Sequence, residues 1–197
     1  TGGLAAVHSE GRSKEEIWDA LKRKETYATS GTRMLLWFNL ISENKKVSMG
    51  SSIETDTKPE FEVKAMGSFV QKPGCPEDAY IALGEERVDE LCFNECYNPS
   101  DDRKFIHRIE VIKVLPQEYV DQPIEGRILD PWYTHYCDPN ELGCSFKFID
   151  EDFSKKWSTL ICFIKISRRF VHQYLFVFVH HHLLLLSNNN FLSGRFL

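Results

Sequence analysis

Alternation of apolar and polar residues constrains this chain more than any other feature. In the stretch EFEVKAM, Phe61, Val63 and Ala65 fall on one side of an extended chain, and charged residues fall mostly on the other. A strand with one apolar face must bury that face against a second layer, so the pattern predicts an antiparallel sheet packed on one side. Phe146 and Phe148 alternate in the same way within CSFKFIDEDF. The middle of the chain is therefore predicted to be β-rich.

Further segments extend this prediction along the chain. RMLLWFNLI is apolar enough to form a strand buried on both faces, KFIHRIEVIKV alternates over much of its length, and STLICFIKI fits a final strand. Runs rich in Gly, Pro, Asn and Asp separate these segments, as in QKPGCPEDA, CYNPSDD and DPWYTHYCDPNELG. The sequence predicts a small antiparallel β unit with long loops.

A helix is predicted ahead of these strands, in SEGRSKEEIWDALKRKE. Ser13 and Glu16 have the spacing of a capping box, in which each side chain satisfies a backbone N–H of the first turn. Ile17, Ala20 and Leu21 then share one face of the helix. Acidic residues lead and basic residues trail, which suits the helix dipole. A short apolar strand, LAAV, is predicted before this helix.

Five of the six cysteines lie among turn residues: Cys75, Cys92, Cys96, Cys137 and Cys144. Cysteines in loops, with the close pairs CFNEC and CDPNELGC, favour disulfides formed in an oxidising compartment. Zinc binding is one alternative, although the two-residue cysteine spacings and the histidine spacings of zinc sites are absent. Unpaired thiols in a cytosolic protein are the other alternative. The favoured prediction is an exported protein, periplasmic or extracellular, with disulfides among these five residues.

The charge balance argues against nucleic acid as a partner. The formal net charge is -5, and no basic patch stands out that would hold a phosphate backbone. All 29 acidic residues precede Leu160, and the end of the chain, YLFVFVHHHLLLLSNNNFLSGRFL, is low in complexity. Three adjacent histidines interrupt its apolar run, which is shorter than the roughly 20 residues of a membrane helix. We interpret residues 166–197 as a tail outside the fold, resembling translated intron or frameshifted sequence.

The stretch GGLAAVHSEGRSKEEIWDALKRKETYATSGTRMLLWF resembles the late part of the bacterial domain-of-unknown-function family 3604. The likeness continues through MGSSIETDTKPEFEVKAMGSFVQKPGCP, ECYNPSDDRKFIHRIEVIKVLPQ and DPWYTHYCDPNELGCSFKFIDEDF, and covers about Gly2 to Lys165. That family in turn resembles the polymerase-and-histidinol-phosphatase type of hydrolases, in which a distorted (β/α) barrel holds divalent metals. The family's His-x-His and Asp-x-His ligand motifs do not occur between Gly2 and Lys165.

The resemblance implies an α+β fold class: the terminal strand and helix of a (β/α) metal-hydrolase-like barrel, followed by a small antiparallel β unit with long loops. It divides the chain into the last barrel elements (1–33), a β-rich extension (34–165) and the tail (166–197). The chain is then an inactive C-terminal piece of a parent that uses a divalent metal on an unknown small-molecule substrate. Its partner is the missing N-terminal part of the barrel, and no cofactor is expected for the piece itself.

On this interpretation candidate site residues lie at two positions of the chain, and no catalytic residue is assigned. His8 follows a predicted strand, where barrel enzymes place metal ligands or substrate contacts; an ordinary polar residue at a strand end is the alternative. Thr29, Ser30 and Arg33 surround Gly31 in a turn that can bind an anion through backbone N–H groups and a guanidinium. The alternative for this turn is a helix stop at the glycine.

Two further hypotheses do not need an active site. In the first, the β unit is an accessory module that binds a glycan or a protein partner through aromatic loops, with Trp132 and Tyr133 as contacts. The alternative for these aromatic residues is that they cover a small core. In the second, the chain is a truncated product with no independent function.

Overall fold

The computed structural model describes residues 3–42, 45–51, 55, 57–93, 95–115, 117, 119–151, 153, 161–168 and 171–177, the last two ranges as backbone alone. In chain order the elements are β1 (Leu4–Val7), α1 (Lys14–Lys22), β2 (Thr26–Thr29), β3 (Leu35–Ser42), β4 (Lys45–Ser48), β5 (Glu60–Met66), β6 (Phe69–Gln71), α2 (Glu77–Leu83), α3 (Glu85–Cys92), β7 (Pro99–Arg103), β8 (Arg108–Val114), β9 (Ile128–Tyr136), β10 (Gly143–Ile149), β11 (Ile161–Arg168) and β12 (Val171–Val177).

The strands form two sheets and a ribbon, and neighbouring strands in all three are antiparallel. The larger sheet has six strands in the order β1-β2-β12-β11-β8-β9, and the smaller has four in the order β10-β5-β3-β4. β6 and β7 pair as a separate two-stranded ribbon, and α2 and α3 lie between them in the chain. We call residues 69–103 the hairpin unit.

One hydrophobic core lies between the two sheets. The smaller sheet contributes the alternating side chains of β3, β5 and β10, namely Leu36, Phe38, Leu40, Phe61, Val63, Ala65, Phe146 and Phe148. The larger sheet contributes Tyr27, Ile109 and Val111 from β2 and β8. The alternation predicted for β5 and β10 is confirmed, because Phe61, Val63 and Ala65 are all buried on the same face.

Helix α1 begins where the capping box predicts. The Ser13 hydroxyl accepts the Glu16 N–H, and the Glu16 carboxylate accepts the Ser13 N–H in return. Hydrogen bonds from the Ser13 side chain and backbone lower the pKa of Glu16. Ala20 is the buried residue of this short helix, and Trp18 and Leu21 remain exposed.

The predicted barrel fragment is wrong. In a (β/α) barrel the strands on either side of a helix are parallel, but β1 and β2 pair antiparallel, with Leu4 opposite Thr29 and Val7 opposite Thr26. The reason is the short return after α1: Lys24 has a φ of 59°, and the His8 N–H donates to the Glu25 carbonyl at 2.8 Å. The described residues form a β-rich fold with three short helices and no barrel.

The predicted final strand is present as β11, and a further strand, β12, follows it. β12 lies between β2 and β11 in the larger sheet, and the boundary proposed at residue 166 falls inside β11. The three histidines and the rest of residues 178–197 lie outside the described part of the chain. The division into 1–33, 34–165 and 166–197 stays a prediction.

Candidate functional site

The turn between Tyr27 and Met34 joins β2 to β3, so it is not the end of a helix. The Thr29 hydroxyl donates to the Thr32 carbonyl at 2.6 Å, and the Tyr27 hydroxyl donates to the Met34 carbonyl at 2.8 Å. Gly31 has a φ of 111°, which a residue with a side chain rarely adopts. Thr29 is buried and used to close the turn, whereas Ser30 is exposed.

Arg33 projects from the end of this turn and stacks on an aromatic ring of the hairpin unit. Its guanidinium carbon lies 3.9 Å from the centroid of the Tyr97 ring, and both side chains are exposed to solvent. None of the ion pairs between described residues involves Arg33. This cation–π contact holds the guanidinium beside Tyr97 on the exposed surface.

The residues that follow Arg33 place two apolar side chains on the outer face of β3. Leu35 and Trp37 are each 37% exposed, while Leu36 and Phe38 point into the core. Lys64 lies directly opposite Trp37 on β5. We call Arg33, Leu35, Trp37, Lys64 and Tyr97 the outer row. The sequence does not reveal this row, because the apolar segment of β3 predicts a strand that is buried on both faces.

An acid on β5 pairs with Lys64 of the outer row. Glu62 forms ion pairs with Lys46 and Lys64, and it accepts a hydrogen bond from Asn39 Nδ2 at 3.3 Å. Hydrogen bonding to Lys46, more than any other contact, lowers the pKa of Glu62. The same face also carries the ion pair of Lys147 with Glu60. Four cations, Arg33, Lys46, Lys64 and Lys147, therefore lie on this face with two carboxylates, and the net positive charge suits an anionic ligand.

His8 lies at the side of β3. Its Nε2 is 2.8 Å from the Leu36 carbonyl, and its ring centroid is 5.8 Å from that of Trp37. Because a carbonyl only accepts, Nε2 must carry the proton, so Nδ1 is the atom that remains for a metal. Among the described residues, the structure does not gather His8 with other potential metal ligands.

Four of the five candidate cysteines form two disulfides. Cys75 pairs with Cys96 in the hairpin unit, and Cys137 pairs with Cys144 between β9 and β10. The prediction of disulfides is confirmed for these four residues. Cys92, at the end of α3, remains a free thiol.

The aromatic stretch predicted as a loop forms strand β9 instead, so that prediction is wrong. The Tyr133 and Phe148 centroids are 4.4 Å apart, those of His135 and Phe146 are 4.3 Å apart, and Trp132 meets Phe148 edge-on at 5.1 Å. Burial lowers the pKa of His135. These rings pack against the core, which was the alternative interpretation. Trp132 and Tyr133 are only partly buried, and a glycan contact through them stays a prediction.

A buried ion pair joins the two sheets, and the sequence analysis missed it. Lys113 Nζ donates to Asp150 Oδ2 at 2.5 Å and lies 4.6 Å from the centroid of the Trp132 ring. The second carboxylate oxygen of Asp150 is buried and has no hydrogen-bond partner within the described structure. The alternation of β8 could have revealed Lys113, because Ile109 and Lys113 are four residues apart and so point to the same, inner side of the strand. This pair is closed off from solvent, so it is a structural element and not an open site.

Comparison with known families gives one result. Residues 1–41 match the model of a family described as "Protein of unknown function (DUF3604)". The matched segment contains β1, α1, β2 and most of β3, and it includes Arg33 and Trp37 of the outer row. It does not extend to the later stretches that suggested the likeness as far as Lys165, and it says nothing of a hydrolase. Neither the curated proteins nor the solved structures contain a match to this chain. None of the helices in the described part is long and apolar enough to cross a membrane.

Proposed function

We propose that this chain is a non-enzymatic β-rich module that binds an acidic oligosaccharide along the outer row. The observation behind the proposal is the Arg33 guanidinium, which lies over the Tyr97 ring and is in none of the ion pairs between described residues. A planar guanidinium forms bidentate hydrogen bonds with a carboxylate, as on a uronic acid. Trp37 offers the exposed aromatic surface on which a sugar ring stacks.

The outer row offers several contacts to a short chain of sugars. Arg33 lies in the turn before β3, and Leu35 and Trp37 follow it on the outer face of that strand. Lys64, opposite Trp37, supplies a second cation for the next acidic group. The two disulfides support export, where such glycans occur, because disulfides persist in oxidising compartments.

Calorimetric titration with uronate-containing and neutral oligosaccharides of equal length tests the proposal. We expect binding to the acidic series alone, weakening with added salt. Arg33→Ala is expected to weaken it roughly tenfold or more, because a charge-assisted hydrogen bond contributes about 1.5–3 kcal/mol. Arg33→Lys keeps the charge but loses the planar fork, so it should recover only part of the affinity.

A matched pair of tryptophan variants completes the design. Trp37→Ala should lose affinity for the acidic oligosaccharide, whereas Trp18→Ala should not, although Trp18 on α1 is the more exposed ring at 57%. Equal binding of neutral and acidic sugars, or an unchanged affinity in both Arg33→Ala and Trp37→Ala, would show that the outer row is not the site.

A second candidate function rests on the resemblance described above. We infer that a longer protein containing this chain hydrolyses a phosphoester or a related bond, with a divalent metal held by residues outside Gly2 to Lys165. His8 would then be a weak additional metal ligand through Nδ1. Turnover of an aryl phosphate by this chain alone, dependent on added metal and abolished by a chelator, would contradict this assignment of the metal ligands.

A further inference from the structure

Three cysteine sulfurs meet in the hairpin unit, apart from the outer row. The Sγ atoms of Cys75, Cys92 and Cys96 all lie within 4.8 Å of one another. Cys75 and Cys96 are bonded to each other, and Cys92 is a partly exposed thiol beside them. The second disulfide, Cys137–Cys144, belongs to no such group within the described residues. The hairpin unit therefore has one more sulfur than its disulfide needs.

Contacts that do not involve sulfur hold two of these positions together. Asn98 Nδ2 donates to the Pro73 carbonyl at 3.3 Å, and the Lys72 N–H donates to the Asn98 carbonyl at 2.7 Å. These bonds join the loop that precedes Cys75 to the segment that follows Cys96. The two cysteines are thus expected to remain neighbours when the bond between them is reduced.

The end of α3 fixes the third position. Phe93 has a φ of 49°, which ends the helix in the left-handed conformation. The Glu95 N–H then donates to the Cys92 carbonyl at 2.8 Å, so the chain turns back immediately. This turn returns Cys96 toward Cys92. The cluster is therefore built by the backbone as well as by the disulfide.

We propose that, once reduced, this cluster is a thiolate metal site in which Cys75, Cys92 and Cys96 bind one Zn²⁺ or a similar thiophilic ion. A dithiol reductant supplies two electrons and two protons to the Cys75–Cys96 bond and is itself oxidised to a disulfide. A zinc–sulfur distance of about 2.3 Å in a tetrahedral site places ligand sulfurs about 3.8 Å apart, which the observed spacing allows. Binding releases the thiol protons and leaves a fourth position for water or another ligand.

Cobalt(II) titration of the full chain tests this site, because thiolate-to-cobalt charge-transfer absorption reports sulfur ligands. The chain is reduced with a dithiol, freed of it without air, and compared with the oxidised chain, which should show no such band. Cys92→Ser keeps both disulfides and so should fold when oxidised. Once reduced, this variant is expected to bind Co²⁺ at least about tenfold more weakly than the unaltered chain. Removing even a group that hydrogen-bonds to a metal ligand lowers metal affinity by about tenfold or more.

A matched control removes the other disulfide. The Cys137→Ser/Cys144→Ser variant should retain the band and the affinity, and loss of the band in that variant would overturn the proposal. Unchanged affinity in Cys92→Ser would overturn it too. Mass spectrometry of the unaltered chain gives a second readout: Zn²⁺ should protect Cys75, Cys92 and Cys96 from iodoacetamide while Cys137 and Cys144 react. Equal alkylation at all five would contradict the site.

Discussion

The two packed sheets, which we call the sandwich, and the hairpin unit each contain one disulfide, but the two bonds contribute differently to stability. Cys137–Cys144 links residues 7 apart that are buried in the core, where strand pairing and stacked rings already hold β9 and β10. Cys75–Cys96 links residues 21 apart around two short helices in which Val88 is the fully buried side chain. Ile81, Leu91 and Phe93 of that unit stay exposed. Apolar burial therefore stabilises the sandwich, and covalent and polar contacts stabilise the hairpin unit.

The largest effect is expected from replacing one phenylalanine by alanine in each of the two regions. Phe61→Ala removes a ring that is 1% exposed and stacked on Phe148, so we expect a loss of about 3–5 kcal/mol in the free energy of unfolding. Phe93→Ala removes a ring that is 80% exposed, and its effect should stay within about 0.5 kcal/mol. Urea unfolding measures both. Similar losses for the two variants would mean that the hairpin unit has a core of its own.

The buried ion pair allows a second test inside the sandwich. Asp150→Ala leaves the Lys113 ammonium buried without its partner, so we expect a loss of about 3–5 kcal/mol in urea unfolding. Glu151→Ala removes the next residue, whose ion pair with Lys58 is solvent-exposed, and should cost at most about 1 kcal/mol. Lys113→Met/Asp150→Leu should recover most of the loss. A double variant as unstable as Asp150→Ala would show that the cost is not an unpaired charge.

The disulfides themselves give the third test. Loop entropy assigns roughly 3 kcal/mol to a 21-residue closure and roughly 2 kcal/mol to a 7-residue closure. For Cys75→Ser/Cys96→Ser we expect amide hydrogen exchange in α2 and α3 to rise about a hundredfold, with β3 and β5 unchanged. For Cys137→Ser/Cys144→Ser we expect a smaller loss, shared by all protected strands. Uniform faster exchange in the first variant would contradict an independently stabilised hairpin unit.

The sequence predicts the sandwich better than the hairpin unit, for physical reasons. Alternation in β5 and the capping box before α1 are local signals, and both are confirmed. Strand β9 is hidden because Pro131 lies in it, at a register shift where its missing N–H is tolerated. The two helices of the hairpin unit are short, and among the described residues Val88 is their one buried side chain, so neither has a long apolar face that the sequence could reveal.

The candidate site depends on pairings that are distant in the chain. The turn at Arg33 was found from sequence, because glycine and hydroxyl residues mark it. Its contact with Tyr97 and the neighbour relation between Trp37 and Lys64 come from cross-strand register, which one sequence does not reveal. The resemblance led the interpretation toward a barrel, although the antiparallel return after α1 excludes one for the described residues.

The smallest expected effect is a pH dependence that comes from His135 in the sandwich. Burial lowers its pKa in the folded protein below the ordinary 6.5, so the unfolded chain takes up a proton at a higher pH than the folded one does. Stability should therefore fall as the pH decreases below about 6.5, and the loss should level off once the folded protein is also protonated. His135→Phe keeps a ring against Phe146 and should flatten this part of the profile. Urea unfolding between about pH 7 and pH 5 measures the difference, and NMR titration of the His135 ring follows the proton directly. A profile that is equally steep in the variant would assign the dependence to another group.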